Sequence, residues 1–273
     1  MNKNDITREI NRKRSFLCVG LDTDIDKIPA HLKSHPDGVF EFNRQIIDAT
    51  KDFTVAYKIN TAFYESQGVK GWVSLEKTLK YIPDNIFKIA DAKRGDIGNT
   101  AEHYAKTFFE TYPFDAVTLN AYMGEDTIRP FLQFKNKWAI LLALTSNPGA
   151  EDFEMLNVGE RKLFEEVLIK SSKWGTDENT MYVAGATRPE AILNMRKIVP
   201  NHFLLVPGVG AQGGDMQKIS EYGLNNAGGL LVNASRSVIY ASKDGDFALA
   251  AAREAENLQK EMEKLLKIES LKS

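Results

Sequence analysis

The densest cluster of side chains that could do chemistry lies in residues 89–100, which read IADAKRGDIGNT. Side chains alternate between faces along a strand, so Asp91 and Lys93, two residues apart, are expected to point the same way. An ammonium would then lie within ion-pair reach of a carboxylate. Lys58, at the end of another apolar run, adds a second cation, and Asp96 follows where the chain is expected to turn. The sequence therefore predicts an alternating Lys–Asp–Lys–Asp array.

Such an array suits proton transfer and charge stabilisation in a confined pocket. Each lysine keeps a neighbouring carboxylate ionised, and each carboxylate keeps the lysine protonated, so that a lysine can serve as a general acid near neutral pH. A fixed carboxylate raises the energy of a substrate anion beside it, and an ammonium stabilises negative charge that develops on carbon. The alternative is a salt-bridge network that only holds the rim of the fold. A structural network often explains one ion pair, but it explains poorly why four charged residues lie on neighbouring strands.

A second candidate site lies near the C-terminus and has the features of a phosphate site. Residues 206–215 read VPGVGAQGGD, a strand that leads into a glycine-rich loop and a helix, and residues 231–240 read LVNASRSVIY. Glycine lets the backbone approach a phosphate closely, and Arg236 supplies a fork of donors. The glycine loop alone could be a simple turn. Together with an arginine at the next strand end, it indicates a phosphate group in the ligand.

These side chains need a scaffold that brings strand ends together, and the apolar pattern predicts one. Most of the strand-length runs are apolar at consecutive positions, as in parallel strands that are covered on both faces. Segments with helical spacing lie between them, and eight strand–helix units in about 250 residues match a closed (β/α)8 TIM barrel. An open doubly wound sheet is the alternative. The eight runs are FLCVGLD (16–22), TVAYKIN (54–60), IFKIADAK (86–93), AVTLNAY (116–122), AILLALTS (139–146), MYVAGA (181–186), FLLVPGVG (203–210) and GLLVNASR (229–236).

Candidate site residues recur at the C-terminal ends of these runs. In a barrel with parallel strands, this end carries the active site because all eight strand-to-helix loops meet there. A single charge at the end of an apolar run could simply mark where the strand ends, but several charges at one barrel mouth indicate function. The residues in this position are Asp22, Lys58, Asp91, Lys93, Ser146 and Arg236.

Length and charge limit the remaining possibilities. The 273 residues carry 35 Lys+Arg and 37 Asp+Glu, a net charge of −2, which argues against a protein that coats nucleic acid or an anionic membrane. No run reaches the ~18 apolar residues of a membrane span, and the first 15 residues lack the apolar segment of a signal peptide. We expect one barrel domain over residues 1–273 with flanking N- and C-terminal helices, the latter over 246–269.

Metal and thiol chemistry are not expected. Cys18 is the one cysteine, so that neither an intramolecular disulfide nor a thiolate metal cage can form, and a cytoplasmic location follows as an expectation. Cys18 lies inside an apolar run and is interpreted as a small buried residue. The four histidines show no ligand spacing beyond His31 and His35, which we interpret as surface residues.

The motifs, taken together, resemble the orotidine 5′-phosphate decarboxylase family. The resemblance runs in order from about residue 16 to residue 241, and the chain length with GATRP (185–189) resembles the longer subtype. It is carried by VGLD (19–22), AYKIN (56–60), DAKRGDIGNT (91–100), TSNPGA (145–150), PGVGAQGGD (207–215) and NASRSVIY (233–240).

The resemblance implies a lyase without cofactor or metal that converts orotidine 5′-phosphate to UMP and CO₂. By position, Lys93 is similar to the acid that protonates C6 of the carbanion, and Asp91 to the residue set against the substrate carboxylate. Lys58 would link the array and reach a ribose hydroxyl, and Asp22 resembles a ribose-binding aspartate. In this family a homodimer completes each site, so that Asp96 and Thr100 would act in the partner's site.

The resemblance also implies contacts to the base and the phosphate. Ser146 is similar to the serine that binds the pyrimidine, Gln212 to the residue that bridges base and phosphate, and Arg236 to the phosphate-binding arginine. Pro207 and Ser235 are further expected substrate contacts, although many family members carry glycine where Ser235 stands. Residues 150–162 fit a lid over the base.

Two rival functions stay open at this level. A sugar-phosphate enzyme of the same superfamily would need a divalent metal and would carry an acidic residue where Lys58 stands. A catalytically silent barrel would only bind nucleotides or a protein partner, and it would not need the charged array.

Overall fold

The computed structural model describes residues 1–208 and 215–270, and its centre is a closed barrel of eight parallel strands. Each strand pairs with the next along the chain, and the last pairs with the first through the register Leu17↔Val232. The predicted TIM barrel is therefore confirmed, and the open sheet is excluded. The strands are β1 (Leu17–Gly20), β2 (Ala56–Asn60), β3 (Phe87–Arg94), β4 (Ala116–Leu119), β5 (Trp138–Leu144), β6 (Thr180–Ala184), β7 (Leu204–Pro207) and β8 (Leu230–Ala234).

Helices connect the strands and surround the barrel. The α-helices are α1 (Lys3–Lys13), α2 (Ala30–Lys33), α3 (Gly38–Thr50), α4 (Ala62–Glu65), α5 (Gly68–Tyr81), α6 (Gly98–Lys106), α7 (Arg129–Leu132), α8 (Leu163–Ser171), α9 (Pro189–Ile198), α10 (Met216–Gly223), α11 (Arg236–Ile239) and α12 (Phe247–Ser270). A π-helical turn over Thr107–Thr111 follows α6. No helix among the described residues has the length and apolar character to cross a membrane.

Strands buried on both faces explain the consecutive apolar runs. In β5 the sequence WAILLAL is buried at every position but one, because its side chains meet the barrel interior on one face and the helices on the other. The helices contribute amphipathic faces to the same core: Phe42 of α3 stacks on Phe247 of α12 with ring centroids 4.9 Å apart. This contact joins the predicted C-terminal helix to the barrel wall.

The N-terminal helix α1 lies against the end of the barrel opposite the predicted site. Asn2 and Asp5 form a capping box at its start, which satisfies backbone donors that would otherwise lack partners. Its Ile6 and Ile10 are buried. Gly228, just before β8, has a φ of +87°, and a Cβ there would lie 2.9 Å from Ile10 Cδ1, so glycine suits both the backbone at this position and the close packing of α1. The C-terminal ends of the strands are thus left for the site.

One buried histidine gives the fold a pH dependence that the sequence did not indicate. Neither ring nitrogen of His202 has a hydrogen-bond partner in the described part of the chain. Burial lowers the pKa of His202 to about 4; Asp177 opposes this shift, whereas Lys3 and Arg196 reinforce it. A histidine in an unfolded chain titrates near 6.5. Between these values the unfolded state binds a proton that the folded state does not, so the free energy of unfolding falls as pH falls through this window.

We expect this histidine to reduce the free energy of unfolding by up to about 3 kcal/mol between pH 6.5 and pH 4. Urea unfolding at pH 7 and pH 4.5 measures the difference, and His202→Phe should make it smaller. The matched control is His31→Phe, because His31 is exposed, as predicted. An unchanged pH dependence in His202→Phe would contradict the assignment.

Candidate active site

Four charged side chains, one from just after β1 and three from β2 and β3, form a continuous chain of ion pairs at the C-terminal end of the barrel. Lys58 Nζ in β2 donates to Asp91 Oδ2 at 2.9 Å and to Asp22 Oδ1 at 3.3 Å. Lys93 Nζ donates to the other oxygen of Asp91 at 2.6 Å. Opposite charges therefore alternate in the order Asp22, Lys58, Asp91, Lys93. We call this set the charged array.

Burial and mutual attraction fix the ionisation of the inner members of the array. The Lys58 side chain is only 4% exposed. Burial acts to lower the pKa of Lys58, but the carboxylates of Asp22 and Asp91 raise it above its ordinary value. Burial acts to raise the pKa of Asp91, but the ammonium groups of Lys58 and Lys93 hold it well below its usual range. Both inner groups are consequently charged at neutral pH.

The predicted contact between Asp91 and Lys93 is present, but regular strand alternation does not produce it. The register of β3 with β4 shifts between Ala90 and Arg94, and Lys93 has a positive φ of 47°. Thr118 of β4 supports this irregular segment: its Oγ accepts from the Lys93 backbone N–H at 2.9 Å and donates to Asp91 Oδ1 at 3.0 Å. Sequence reasoning missed Thr118, although a polar residue within the apolar run AVTLNAY was a usable signal.

Three members of the array, Lys58, Asp91 and Lys93, form one wall of a cavity of about 220 Å³. The remaining wall is mixed, with apolar side chains from β5, β6 and β7 and polar ones from the segment after β5. Ser146 and Pro207 lie in this lining, as predicted, whereas Thr145 and Asn147 are additions within the same TSNPGA motif. The lining residues are Lys58, Asp91, Lys93, Thr118, Leu142, Thr145, Ser146, Asn147, Val183, Leu205 and Pro207.

The predicted phosphate site is described only in part. Gln212 and the rest of residues 209–214 lie outside the described residues. Arg236 begins α11, is exposed, and forms no ion pair within residues 1–208 and 215–270. The Ser235 hydroxyl donates to the carbonyl oxygen of Gly20 at 3.1 Å. A Cβ on Gly20 would lie 2.8 Å from the Ser235 Cβ, so serine at this position requires glycine at the end of β1.

Two predicted residues do not join the array within one chain. The Asp96 carboxylate accepts from the Ile97 backbone N–H at 2.8 Å, and Thr100 is exposed in the first turn of α6. In the described part of the chain neither makes a hydrogen bond or ion pair with Lys58, Asp91 or Lys93. Within one chain the array therefore runs from Asp22 to Lys93, whereas the sequence predicted an array that runs from Lys58 to Asp96.

The segment predicted as a lid contains a two-stranded hairpin, Asn157–Val158 with Arg161–Lys162. Glu154 joins this segment to the site: its carboxylate accepts from the Thr145 backbone N–H at 2.7 Å and from the Thr145 hydroxyl at 3.0 Å. Sequence reasoning did not identify Glu154. Whether the segment moves over a bound base stays a prediction.

Thiol and metal groupings are not found in the described residues. Cys18 is fully buried in β1, and burial raises the pKa of its thiol to about 12, so it remains protonated and unreactive. In residues 1–208 and 215–270 no group of three or more His, Cys, Asp or Glu side chains is arranged to hold a metal ion.

Comparison with known proteins identifies the family of the chain. A sequence model described as the Orotidine 5′-phosphate decarboxylase / HUMPS family matches residues 15–252. The chain belongs to this family. The orotidine 5′-phosphate decarboxylase of Phocaeicola vulgatus is 56% identical over 270 residues, which covers 97% of this chain and 99% of the relative. This similarity confirms the family resemblance found in the motifs.

Solved structures of the family have the same fold. The Leishmania donovani OMP decarboxylase aligns with a TM-score of 0.84 at 33% identity, over 97% of this chain and 98% of that one. The Methanocaldococcus jannaschii enzyme, complexed with the inhibitor BMP, aligns with a TM-score of 0.67 at 26% identity, over 90% of this chain and 97% of that one.

Proposed function

We propose that this chain removes CO₂ from orotidine 5′-phosphate to give UMP, a step of pyrimidine biosynthesis. The observation that carries the proposal is the charged array on the wall of a cavity at the barrel mouth, in a family whose relatives above 50% identity are named for this activity. The family name also covers a second group, but Lys58 stands where a sugar-phosphate enzyme needs an acidic residue.

In the mechanism we propose, Asp91 faces the carboxylate that is lost. Asp91 stays ionised beside two ammonium groups, so a substrate carboxylate placed against it is raised in energy until it leaves as CO₂. The bonding electron pair stays on C6 of the pyrimidine. Lys93 stabilises this charge and transfers a proton from Nζ to C6, which yields UMP. Lys58 holds Asp91 in place and reaches a ribose hydroxyl, with Asp22 as its other carboxylate partner.

The remaining contacts would hold the nucleotide. Ser146 lines the cavity and would donate to the base. Arg236 and the backbone at Ser235 would bind the phosphate together with Pro207 and Gln212. The exposed guanidinium of Arg236 supports this role, because it forms no ion pair among the described residues and its fork of donors can bind two phosphate oxygens.

We also propose a homodimer in which Asp96 and Thr100 complete the partner's site. Exposed apolar side chains beside Asp96 support this arrangement: Ile97 is exposed, Tyr122 is 88% exposed, and Met123 lies close to Gly95. Clustered apolar surface of this kind marks protein interfaces. The ligands are nucleotides only, with neither nucleic acid nor membrane as partner, and a cytoplasmic location is proposed.

The direct test is an absorbance assay for loss of orotidine 5′-phosphate, with and without EDTA. We expect UMP to form at the same rate in both samples, because the proton donor and the charge-stabilising group are both lysine side chains. A metal-dependent sugar-phosphate enzyme would lose its activity in the chelator. Loss of turnover in EDTA that returns with Mg²⁺, or no turnover of this substrate at all, would contradict the proposal.

A further inference from the structure

The residue that follows the proposed acid has no role so far. Lys93 adopts a positive φ of 47°, a region that side chains with a Cβ rarely occupy. Such a conformation persists only where the surroundings impose it. The backbone is held from β4, since the Lys93 N–H donates to Thr118 Oγ and the Asn120 N–H donates to the Arg94 carbonyl at 2.8 Å. The side chain of Arg94 provides the second constraint.

Arg94 points away from the cavity and is held by two acceptors. One terminal nitrogen forms an ion pair with Glu65 of α4. The other donates to the carbonyl oxygen of Ala92 at 2.9 Å. This second bond spans Lys93, because it joins the side chain of the next residue, Arg94, to the backbone of the preceding residue, Ala92. The irregular segment of β3 that carries Lys93 is therefore held from outside the barrel.

Two aromatic rings fix the guanidinium further. Its central carbon lies 5.5 Å from the ring centroid of Tyr104 and 5.4 Å from that of Phe108, distances typical of cation–π contacts. Tyr104 belongs to α6, and Phe108 to the π-helical turn that follows. The Arg94 side chain is mostly buried, and its Nε has no hydrogen-bond partner among the described residues. These contacts hold the Arg94 guanidinium in one position, although they do not provide a partner for each of its donors.

We propose that Arg94, clamped by Glu65, Tyr104 and Phe108, is a positioning residue that aims Lys93 at the reacting carbon. The inference rests on the proposed role of Lys93 as the acid. Lysine could not replace Arg94, because a single ammonium lacks the planar fork that serves Glu65 and the Ala92 carbonyl while stacking on two rings. The proposed base and phosphate contacts lie on other strands, so the Arg94 clamp should affect the chemical step and not the binding of UMP.

The test compares Arg94→Met with wild type in kcat, in KM for orotidine 5′-phosphate and in Kd for UMP. Methionine keeps the apolar contact with the rings but loses both polar bonds. Because a misplacement of about 1 Å can lower a rate about 100-fold, we expect kcat per UMP-binding site to fall roughly 10- to 100-fold, with KM and Kd within about threefold. Arg94→Lys should restore little. Arg44→Met, which removes an arginine paired with Glu41 on the outer helix α3, is the control and should leave kcat unchanged.

Three outcomes would overturn the inference: an unchanged kcat per binding site, a rise in KM at constant kcat, or full activity in Arg94→Lys. If Arg94→Met does not fold, Glu65→Gln tests the same clamp, and an unchanged kcat in that variant is equally contrary. Lys93→Ala is measured in parallel. If it keeps wild-type turnover, the proposed role of Lys93 as the acid fails; if wild type itself does not turn over orotidine 5′-phosphate, the proposed function fails. If Lys93→Ala is inactive while Arg94→Met is fully active, only the present inference fails.

Discussion

Replacing Lys93 by alanine is expected to slow decarboxylation by roughly 10⁴-fold or more, because it removes both the proton donor and the cation beside the carbanion. Its Nζ lies 2.6 Å from Asp91 and its side chain is 51% exposed towards the cavity, so that a substrate can reach it. UMP should still bind, since the proposed base and phosphate contacts lie on other strands. Single-turnover kinetics with a parallel UMP titration measure both quantities.

One further variant separates the loss of the proton donor from the loss of positive charge, and a second variant is the control. Lys93→Arg keeps a cation but cannot release a proton near neutral pH, so we expect it to remain severely impaired if proton transfer matters. Lys197→Ala removes an exposed lysine of α9 and should be fully active. Wild-type turnover in Lys93→Ala would refute the mechanism, and full activity in Lys93→Arg would assign the residue a purely electrostatic role.

The sequence could predict the barrel because its signal is local and repeated. Each strand is an apolar run buried on both faces, and parallel strands place their C-terminal ends at one rim. Polar residues that interrupt or close such runs, as Lys58 and Asp91 do, must therefore meet at the mouth. The spacing of the apolar runs was therefore enough to predict this arrangement, without information on how the side chains pack.

The finer geometry could not be predicted, because it depends on contacts between segments that are irregular or distant. The irregular segment of β3 is held by Thr118 from the next strand, and the clamp on Arg94 includes Glu65, 29 residues earlier. Glu154 reaches Thr145 from a loop without periodicity. Within one chain Asp22 occupies the end of the array next to Lys58, and the role of Asp96 in the partner's site stays a prediction, because a single chain does not test it.

Mixing two inactive variants, Asp96→Ala and Lys93→Ala, is expected to restore activity if sites are shared between subunits. After random exchange in an equal mixture, half of the dimers contain one subunit of each kind. Each such dimer has one site with both residues intact and one site that lacks both, so about a quarter of wild-type activity should return. The reason is geometric, since Asp96 makes no ion pair with the array of its own chain in the described residues.

The matched control mixes Lys93→Ala with Asp91→Ala. These two residues are in direct contact within one chain, so that every site in a mixed dimer lacks one of them and no activity should return. Recovery in the first mixture alone assigns Asp96 to the partner's site. No recovery in either mixture, once subunit exchange is verified with differently tagged chains, would contradict the shared site. Asp96 would then have to act within its own chain, which would require residues 95–100 to move towards the cavity when substrate binds.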